Sequence, residues 1–355
     1  VKWLSLTYGN VNGGVVYNQE PGYPTIEETQ YSPSNTYHKD FGDKICQIGD
    51  YIFVRFWDDL IDEHKIRVLK NDMGVWGIDT TLTYQGPHPH NGIAGFGFYM
   101  VADTCRVAIG NHGGALDHGD VSIYKKTSNG FELEQIIDAV DIGEGIDLYG
   151  ETLVTSKWDT VQFYELNNND VWEHKLDITG LGQSKPSLWN DRLVLHSTSA
   201  VISFYRKIGN VWGVTQTISS PAYGFDMYEQ FYVYRYGPLH IYKYDNGTYH
   251  LMTNPPQIDE YSWSSFRFFG DYLILGHPAY DNDPNTFQND GIVRIMKYNG
   301  SDWEFVQDIF DPFPGNSIGT EVSTDGVNYV IGAPSADVNG VSNAGKILIG
   351  PVLQS

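Results

Sequence analysis

Four histidines lie in two polar segments that are near each other in the sequence. His88 and His90 alternate with prolines, whereas His112 and His118 enclose a glycine-rich stretch that contains Asp117, and Asp120 follows two residues after His118. Imidazole and carboxylate groups in this arrangement could ligate a transition metal or act as an acid and a base. Their spacing matches no established metal-binding motif, so the residues alone favour a hydrogen-bonded pair of polar loops.

Aromatic residues recur at equivalent polar positions, two of them beside carboxylates. These positions are Trp57 with Asp58 and Asp59, Trp158 with Asp159, and Tyr236. An aromatic ring beside carboxylate oxygens suits sugar recognition, because the ring stacks on the C–H face and the carboxylates accept hydroxyl protons. We therefore predict ligand-binding roles for these residues and for the four histidines. Packing of the rings between neighbouring structural units is the alternative.

A third polar segment, from Asp281 to Asp290, is rich in side-chain oxygens. Asp281, Asp283 and Asp290 could together hold calcium, which binds carboxylate and carbonyl oxygens. A turn stabilised by its Asx side chains, without a metal, is the alternative. No other cofactor is suggested by the residues.

The sequence carries no established catalytic motif. It lacks the Ser-x-Asp-x-Gly-x-Thr-Trp box of sialidases, a Gly-x-Ser-x-Gly elbow, a His-Glu-x-x-His pair and a phosphate-binding glycine loop. A glycosidase or lyase needs acidic or basic groups paired in one pocket, and sequence does not show which aspartates converge. We therefore predict no catalytic residue and leave the question of an enzyme open.

A recurring hairpin must position these segments. In each copy an apolar strand ends at an anchor residue, a Gly/Asn/Asp turn follows, and the next strand opens with an aromatic residue. The spacing from anchor to aromatic residue is seven, or eight in the third copy. The anchors are Leu69, Tyr124, Tyr164, Tyr205, Tyr242 and Met296, and the aromatic residues are Trp76, Phe131, Trp172, Trp212, Tyr249 and Trp303.

Two further strands precede each hairpin, so the repeating unit has four strands, A to D. The B strands are 51–56, 106–110, 152–156, 192–197, 231–236, 272–276 and 329–332. A seventh C strand at 345–352 has no D strand after it, but residues 1–8 begin with the missing aromatic-led strand. This pattern predicts an all-β, seven-bladed β-propeller of four-stranded antiparallel blades, closed by the N-terminal strand in the last blade.

We expect residues 1–355 to form a single propeller domain, in which 1–8 complete blade 7 and 41–355 form blades 1 to 7. Residues 9–40 are an aperiodic insertion that could cap the axial opening, bind a partner or be disordered. The other long loops are B–C and D–A loops, which emerge on the same face of a four-stranded meander. A binding site is therefore expected on that face.

Charge excludes two classes of partner. The chain has 22 Lys and Arg residues against 44 Asp and Glu residues, a formal net charge of −22. Such a surface repels nucleic acid and anionic lipid, and no apolar run is long enough for membrane insertion. Cys46 and Cys105 fall at non-equivalent places in successive blades, so we expect two free buried thiols.

Two features are compatible with secretion. The chain begins with Val, as a product from which a secretory signal has been removed could. Asn246 and Asn299 begin N-glycosylation sequons, although Asn-Gly is also a favoured pair for a tight turn. The predicted location is secreted, extracellular or on a particle surface.

The last two blades resemble FG-GAP repeats, the unit of the integrin alpha-chain propeller and of several lectins. The matching segments are FRFFGDYLILGHPAYDNDPNTFQNDGIVRIMKYNG and IGTEVSTDGVNYVIGAPSADVNGVSNAGKILIG, about a fifth of the chain. Each has Phe-Gly or its equivalent on strand A, a B strand ending in Gly-x-Pro, a polar loop and a Gly before strand C. The resemblance implies a seven-bladed, usually extracellular propeller used for binding.

The resemblance does not extend to the family's calcium site. Calcium-binding members carry an Asp-x-Asp-x-Asp-Gly type of loop in the A–B hairpin. The hairpins here, FFGDYL, STDGVNY and QIGDYI, are too short and have too few carboxylates. The family's calcium ligands are therefore not carried over to this chain.

Together these observations predict a non-catalytic recognition module that binds a glycan or a protein partner through the B–C and D–A loops. The first alternative is a polysaccharide lyase or glycosidase that uses the histidines with nearby aspartates. The second is a structural component of a larger assembly, with residues 9–40 as the docking arm.

Overall fold

The computed structural model describes most of the chain. The described residues are 2–4, 38–86, 95–111, 118–140, 145–157, 159–181, 184–197, 200–221, 224–236, 238–252, 263–281, 289–311, 315–338 and 341–352. Every regular element in these ranges is a β-strand, which confirms the predicted all-β class. Within the same ranges no helix is long and apolar enough to span a membrane.

The strands form seven antiparallel sheets, one for each predicted blade. The N-terminal strand is β1 (Lys2–Leu4). Blade 1 contains β2 (His38–Lys39), β3 (Ile45–Ile48), β4 (Tyr51–Asp58), β5 (Glu63–Asp72) and β6 (Val75–Leu82). Blade 2 contains β7 (Phe96–Ala102), β8 (Arg106–Asn111), β9 (His118–Thr127) and β10 (Gly130–Val140). Blade 3 contains β11 (Gly145–Tyr149), β12 (Thr152–Lys157), β13 (Thr160–Leu166) and β14 (Trp172–Thr179).

The remaining blades repeat this order. Blade 4 contains β15 (Ser184–Trp189), β16 (Arg192–Ser197), β17 (Val201–Ile208) and β18 (Val211–Ser219). Blade 5 contains β19 (Phe225–Tyr228), β20 (Phe231–Arg235), β21 (Leu239–Asp245) and β22 (Thr248–Leu251). Blade 6 contains β23 (Ser265–Phe269), β24 (Tyr272–His277), β25 (Ile292–Tyr298) and β26 (Trp303–Ile309). Blade 7 contains β27 (Val322–Thr324), β28 (Asn328–Ala333) and β29 (Lys346–Pro351), and β1 completes it.

Contacts within the chain group the blades into two compact units. One unit is Thr83–Thr253, with blades 2 to 5, and the other is Val1–Leu82 with Asn254–Ser355, with blades 1, 6 and 7. The predicted single domain over residues 1–355 stays a prediction.

The N-terminal strand supplies the fourth strand of blade 7, as predicted. It pairs antiparallel with β29, with Lys2 opposite Ile349 and Leu4 opposite Ile347. Blade 1 differs from expectation at its first strand, which is split: both β2 and β3 pair with β4. Because β2 lies at the end of the predicted 9–40 insertion, that insertion contributes to the sheet. Residues 9–37 lie outside the described residues.

The predicted anchors form the core between neighbouring blades. All six anchors of the C strands are buried. Of the aromatic residues that open the D strands, Trp76, Trp172, Tyr249 and Trp303 are buried, whereas Phe131 and Trp212 are half-buried. A shared cluster joins Ile123 of blade 2 to Leu148 and Trp172 of blade 3. Alternate strand residues therefore pack one blade against the next, as period-two patterning requires.

A β-bulge interrupts the C–D pairing at the same place in five blades. The extra residue is always on the D strand, three positions after the opening aromatic residue: Asp79, Glu134, Lys175, Thr215 and Val306. A bulge leaves one residue unpaired and increases the local twist of the strand. The bulge therefore reverses the faces presented by the rest of the D strand.

A glutamine one position after the bulge joins two pairs of neighbouring blades. The Gln135 amide donates to the carbonyl of Trp172 at 3.0 Å and accepts from its N–H at 2.8 Å. Gln216 makes the same two bonds with Tyr249, at 2.9 and 2.8 Å. Each side-chain amide thus completes the backbone hydrogen bonds of the next D strand, and we call this arrangement an amide clamp.

The clamp at Gln135 is reinforced by a buried ion pair. Glu134 accepts hydrogen bonds from Arg106 Nε at 2.8 Å and from Trp172 Nε1 at 2.9 Å. Burial by itself would raise the pKa of Glu134, but these two hydrogen bonds and the charge of Arg106 hold that pKa below its usual value. The bulge residue therefore remains ionised within the interface between blades 2 and 3.

Glycine contacts explain the sequence signature of the last two blades. A β-carbon on Gly276 would collide with the carbonyl of Gly319 in the next blade, and one on Gly332 would collide with that of Gly42. The glycine that precedes each C strand also meets the next A strand, since Gly345 forms a bridge with Phe41. The Gly-x-Pro glycines of blades 6 and 7 therefore make close backbone contacts with Gly319 and Gly42 of the following blades, whereas a β-carbon on Gly270 would meet nothing within 4 Å.

The two cysteines are free, as expected. Cys46 is buried in β3, whereas Cys105 is half-buried just before β8, so the expected burial holds fully for only one of them.

Candidate functional site at the loop edge of the blades

The D–A and B–C segments meet at one edge of a blade, which we call the loop edge. Side-chain pairs show this in three blades: Lys39–Asp59 in blade 1, Tyr84–Asp120 in blade 2 and Asp311–Lys346 in blade 7. In each pair one residue precedes the A strand and the other lies at or next to the B–C turn. The predicted convergence of these two loop types is therefore observed where the structure describes both.

A buried carboxylate lies at the loop edge of blade 2. Asp120 is fully buried at the start of β9, where it accepts hydrogen bonds from the Tyr84 hydroxyl and, at 3.5 Å, from the Asn111 amide. Four residues further along β9, Tyr124 is also buried. Its pKa is raised to about 12 by burial and by the negative charge of Asp120. Tyr124 therefore stays a neutral phenol at physiological pH.

The predicted histidine cluster lies beside this carboxylate in the sequence. His88, His90 and His112 lie outside the described residues, and only the backbone of His118 is described, paired with Val140. Their proposed part in metal binding or acid–base chemistry stays a prediction. What the structure adds is that Asp120 is fully buried and accepts a hydrogen bond from Tyr84.

The acidic pair of blade 1 is already matched by lysines. Asp58 Oδ2 lies 2.8 Å from Lys65 Nζ, and Asp59 Oδ2 lies 2.7 Å from Lys39 Nζ. The half-buried Trp57 ring contacts His64 edge-on, with 4.7 Å between ring centroids. The predicted sugar-binding group is thus brought together on one hairpin, but its carboxylates and ring have protein partners.

The tip of the same hairpin exposes two apolar side chains. The β4–β5 pairing continues up to Asp58 and Glu63, so that four residues form the turn. At the tip, Leu60 is 56% and Ile61 is 50% exposed. The Asp58 carboxylate accepts a hydrogen bond from the Leu60 N–H at 3.2 Å, which fixes the turn. The hairpin therefore holds an apolar tip in a defined geometry between acidic residues.

The other two aromatic positions lie in blades 3 and 5. Trp158 lies outside the described residues, and Asp159 is exposed in the turn between β12 and β13, where its carbonyl accepts from Gly180 N–H at 3.1 Å. Tyr236 follows β20 and is 46% exposed. Both residues are thus accessible to a ligand, and their predicted binding role stays a prediction.

The predicted calcium segment is described only at its ends. Asp290 is buried and its carboxylate accepts from Gly315 N–H at 3.1 Å, while Asp281 is half-buried and Asp283 lies outside the described residues. Within the described ranges no group of three or more His, Cys, Asp or Glu residues is arranged to hold a metal. Asp290 has a structural role in joining the B–C loop to the next D–A segment, and calcium binding stays a prediction.

Two ion pairs at the loop edge were not predicted. Lys346 and Asp311 form an ion pair of 2.8 Å in which both side chains are almost completely buried, and Asn316 donates to the same carboxylate at 2.8 Å. Lys44 lies 3.0 Å from Glu321, whose negative charge raises the lysine pKa. The sequence held one signal for the first of these pairs, because Lys346 begins the otherwise apolar run KILIG.

Comparison with known proteins shows the fold. No protein-family model matches the chain, and no curated protein matches it by sequence. A solved protein from Lactobacillus plantarum matches with 13% identity and a TM-score of 0.55, covering 77% of this chain and 86% of that one. Saccharomyces cerevisiae Sqt1 matches with 12% identity and a TM-score of 0.53, covering 89% and 97%.

A third similar structure is described as a propeller in its own right. The WD40 β-propeller domain of Doa1 matches with 10% identity and a TM-score of 0.55, covering 88% of this chain and 93% of that one. Identities this low show the fold alone. With seven four-stranded antiparallel blades, the chain has a seven-bladed β-propeller fold.

Proposed function

We propose that this chain is a non-catalytic recognition module that binds a protein partner through the loop edges of its blades. The fold supports this proposal, because propellers present loops from successive blades as a binding surface. The observation that carries it is the blade-1 hairpin, whose tip exposes Leu60 and Ile61. Ordered apolar side chains of this kind are suited to a pocket on another protein.

Charge indicates what that pocket should look like. The tip is flanked by Asp59, Asp62 and Glu63, on a chain with a formal net charge of −22. A partner with an apolar pocket and a rim of Lys or Arg side chains would bury the tip and complement the flanking charge. A partner with an acidic rim would be repelled.

A pair of double substitutions tests this role. The wild-type chain, the variant with Leu60→Ser and Ile61→Ser, and the variant with Met73→Ser and Val75→Ser are each used for cross-linking and affinity enrichment from cells that make the protein. Met73 and Val75 are also exposed apolar residues at a hairpin turn of blade 1, so they provide a matched control. We expect partners retained by the control to be lost from the Leu60/Ile61 variant. Equal recovery by all three chains would exclude the hairpin as the binding element.

A glycan-binding function is the second candidate, and Tyr236 favours it. Its exposed ring at the end of a B strand offers a face on which a sugar ring could stack. The FG-GAP resemblance of blades 6 and 7 supports the same candidate, since that resemblance includes lectins. A glycan array, probed with the chain in calcium and again in EDTA, tests this candidate. Selective binding supports a lectin. Loss of that binding in EDTA supports a metal at the 281–290 segment.

An extracellular or particle-surface location is part of the proposal. Asn246 lies in an exposed turn with φ of 50°, and its side-chain amide donates one hydrogen bond, to the neighbouring Asp245 carboxylate at 3.1 Å. Asn299 differs, because its side chain accepts from the Ser301 and Asp302 N–H groups and donates to Glu304. We therefore expect Asn246 to carry a glycan in preference to Asn299. Glycosidase treatment of the protein from its natural source, followed by mass spectrometry of the two peptides, measures this. Absence of any mass shift would count against secretion.

Hydrolysis or elimination of a polysaccharide stays an alternative through the histidines of blade 2. A screen of polysaccharide substrates, followed by His88→Ala and His112→Ala, would test it. A structural role in an assembly, with residues 9–40 as an arm, would instead appear as loss of assembly when that segment is deleted.

A further inference from the structure

One D strand lacks the charges that usually protect the edge of a sheet. Residues 208–219, which include all of β18, contain no Asp, Glu, Lys, Arg or His side chain. The segment is rich in β-branched residues and has no proline inside it. Uncharged, β-branched segments of this length are the kind that add to strands of another chain.

The other D strands of comparable length are charged. β10 carries Glu132, Glu134 and Asp138, β14 carries Glu173, Lys175 and Asp177, and β26 carries Glu304 and Asp308. β6 carries Asp79 at its bulge. In blade 5, β22 has only four residues, so it offers a short edge. Among the described D strands, β18 therefore combines length with absence of charge.

The strand is also accessible. β18 pairs with β17 on one side and is the last strand of its sheet, and Ile208, Val211 and Val214 are exposed. Its inward-facing residues are engaged elsewhere, because Trp212 contacts Phe163 and Gln216 clamps Tyr249. The two valines are therefore accessible at the outer edge of blade 4. The bulge at Thr215 divides the edge and leaves Val211–Val214 as its regular part.

A second copy of the same chain is the occupant that charge favours. With a formal net charge of −22, two copies repel each other over most of their surfaces. Where two β18 strands meet, no like charges are brought face to face. An antiparallel pair of identical strands is also self-complementary about a twofold axis, which is the usual symmetry of a homodimer.

We propose that the chain self-associates through antiparallel pairing of β18 with β18 of a second copy. The pairing joins two four-stranded blades into one sheet, and the twofold axis passes near Val211, so that the exposed side chain of Val211 contacts its counterpart in the second copy. Because the rest of the surface is acidic, the dimer strengthens when salt screens the net charge. This inference does not depend on the loop-edge function proposed above.

Sedimentation velocity over a concentration series, at low and at moderate salt, tests the proposal. We expect a concentration-dependent dimer that increases with salt. The test variant is Val211→Lys and the matched control is Val75→Lys, because both valines directly precede the opening tryptophan of a D strand and are 68% and 71% exposed. Lysines opposite each other across the twofold axis should weaken the dimer about tenfold or more in the test variant alone.

Thermal unfolding and hydrogen exchange provide two further tests of the β18 dimer. Thermal unfolding of both variants checks that neither substitution disturbs the fold. Hydrogen exchange of the β18 amides should slow as the wild-type concentration rises and should stay fast in Val211→Lys. A wild-type chain that is monomeric throughout the series, or a dimer that Val211→Lys leaves intact, would overturn the proposal.

Discussion

At the scale of single residues, His196 links the stability of the fold to pH. Its side chain is buried in β16, and burial together with the positive charge of Lys185 lowers its pKa from 6.5 to about 4. In the unfolded chain the pKa returns to about 6.5. Between these two values the unfolded chain binds a proton that the folded chain does not, so the free energy of unfolding falls as pH decreases through this window.

Replacing His196 with Gln should remove that dependence. Each unit of pKa difference corresponds to about 1.4 kcal/mol, so wild type should lose measurably more stability than His196→Gln between about pH 7 and pH 5. Urea unfolding of both proteins at the two pH values measures the difference. Because the other ten histidines are common to both chains, they cancel in the comparison. An equal loss in both proteins would show that His196 is protonated in the folded state.

Residue types with a local signature were predictable, and long-range pairs were not. The anchors and aromatic residues stand at a fixed spacing around a turn, and this spacing was enough to place them in the core. The Lys44–Glu321 pair joins residues 277 positions apart, and no local pattern connects them. The pairing of Asp120 with Tyr84 was missed for a similar reason, since Tyr84 lies 36 positions earlier in the chain.

At the scale of strands, the amide clamps join neighbouring blades through a side chain. Replacing Gln135 with Ala leaves the backbone N–H and carbonyl of the buried Trp172 without these partners. We expect a loss of about 1–3 kcal/mol in the free energy of unfolding. Gln216→Ala should have a similar effect, and the two losses should add because the clamps are in separate blade interfaces.

Chemical denaturation of the two single variants and the double variant provides the measurement. Gln135→Glu is a useful companion, because it keeps an acceptor for the Trp172 N–H but removes the donor to the Trp172 carbonyl. It should therefore be destabilised as well. If Gln135→Ala unfolds at the wild-type denaturant concentration, the hydrogen bonds of the clamp are replaced by water at no cost.

Sequence predicted the strands well and their irregularities poorly. Alternating apolar residues and Gly/Asn turns marked every B, C and D strand, because period-two burial leaves a direct record in the sequence. The bulges left no such record, since Asp79, Lys175 and Val306 share a position but no residue type. The split first strand of blade 1 was missed because β2 lies in an aperiodic insertion.

At the scale of the whole molecule, the N-terminal strand should be essential to blade 7. Removing residues 1–8 leaves the edge of β29 unpaired, so we expect a loss on the order of a few kcal/mol and greater aggregation. Moving the same residues to follow Ser355 through a short Gly/Ser linker should restore stability, because β1 runs antiparallel to β29. Differential scanning calorimetry of the three chains measures this. A truncated chain as stable as wild type would show that β1 contributes little.

The loops were the least predictable part of the fold. Their position at one edge followed from the order of strands, and three side-chain pairs confirm it. Their chemistry did not follow, because a carboxylate beside an aromatic ring is compatible with both a sugar site and an internal ion pair. In blade 1 Asp58 and Asp59 both form ion pairs with lysines, and their ligand-binding role stays a prediction.

The amide clamps have a consequence for how such a chain could have grown. Gln135 and Gln216 start from blades 2 and 4, and Gln307 holds the same place in blade 6, four residues after Trp303. The corresponding residues of blades 1 and 3 are Thr80 and Leu176. Each clamp therefore spans a pair of neighbouring blades, with the glutamine in one blade and the opening residue of the D strand in the next. Duplication of a gene segment that encodes such a pair of blades would carry a complete clamp with it. Duplication of one blade would instead separate a glutamine from its partner.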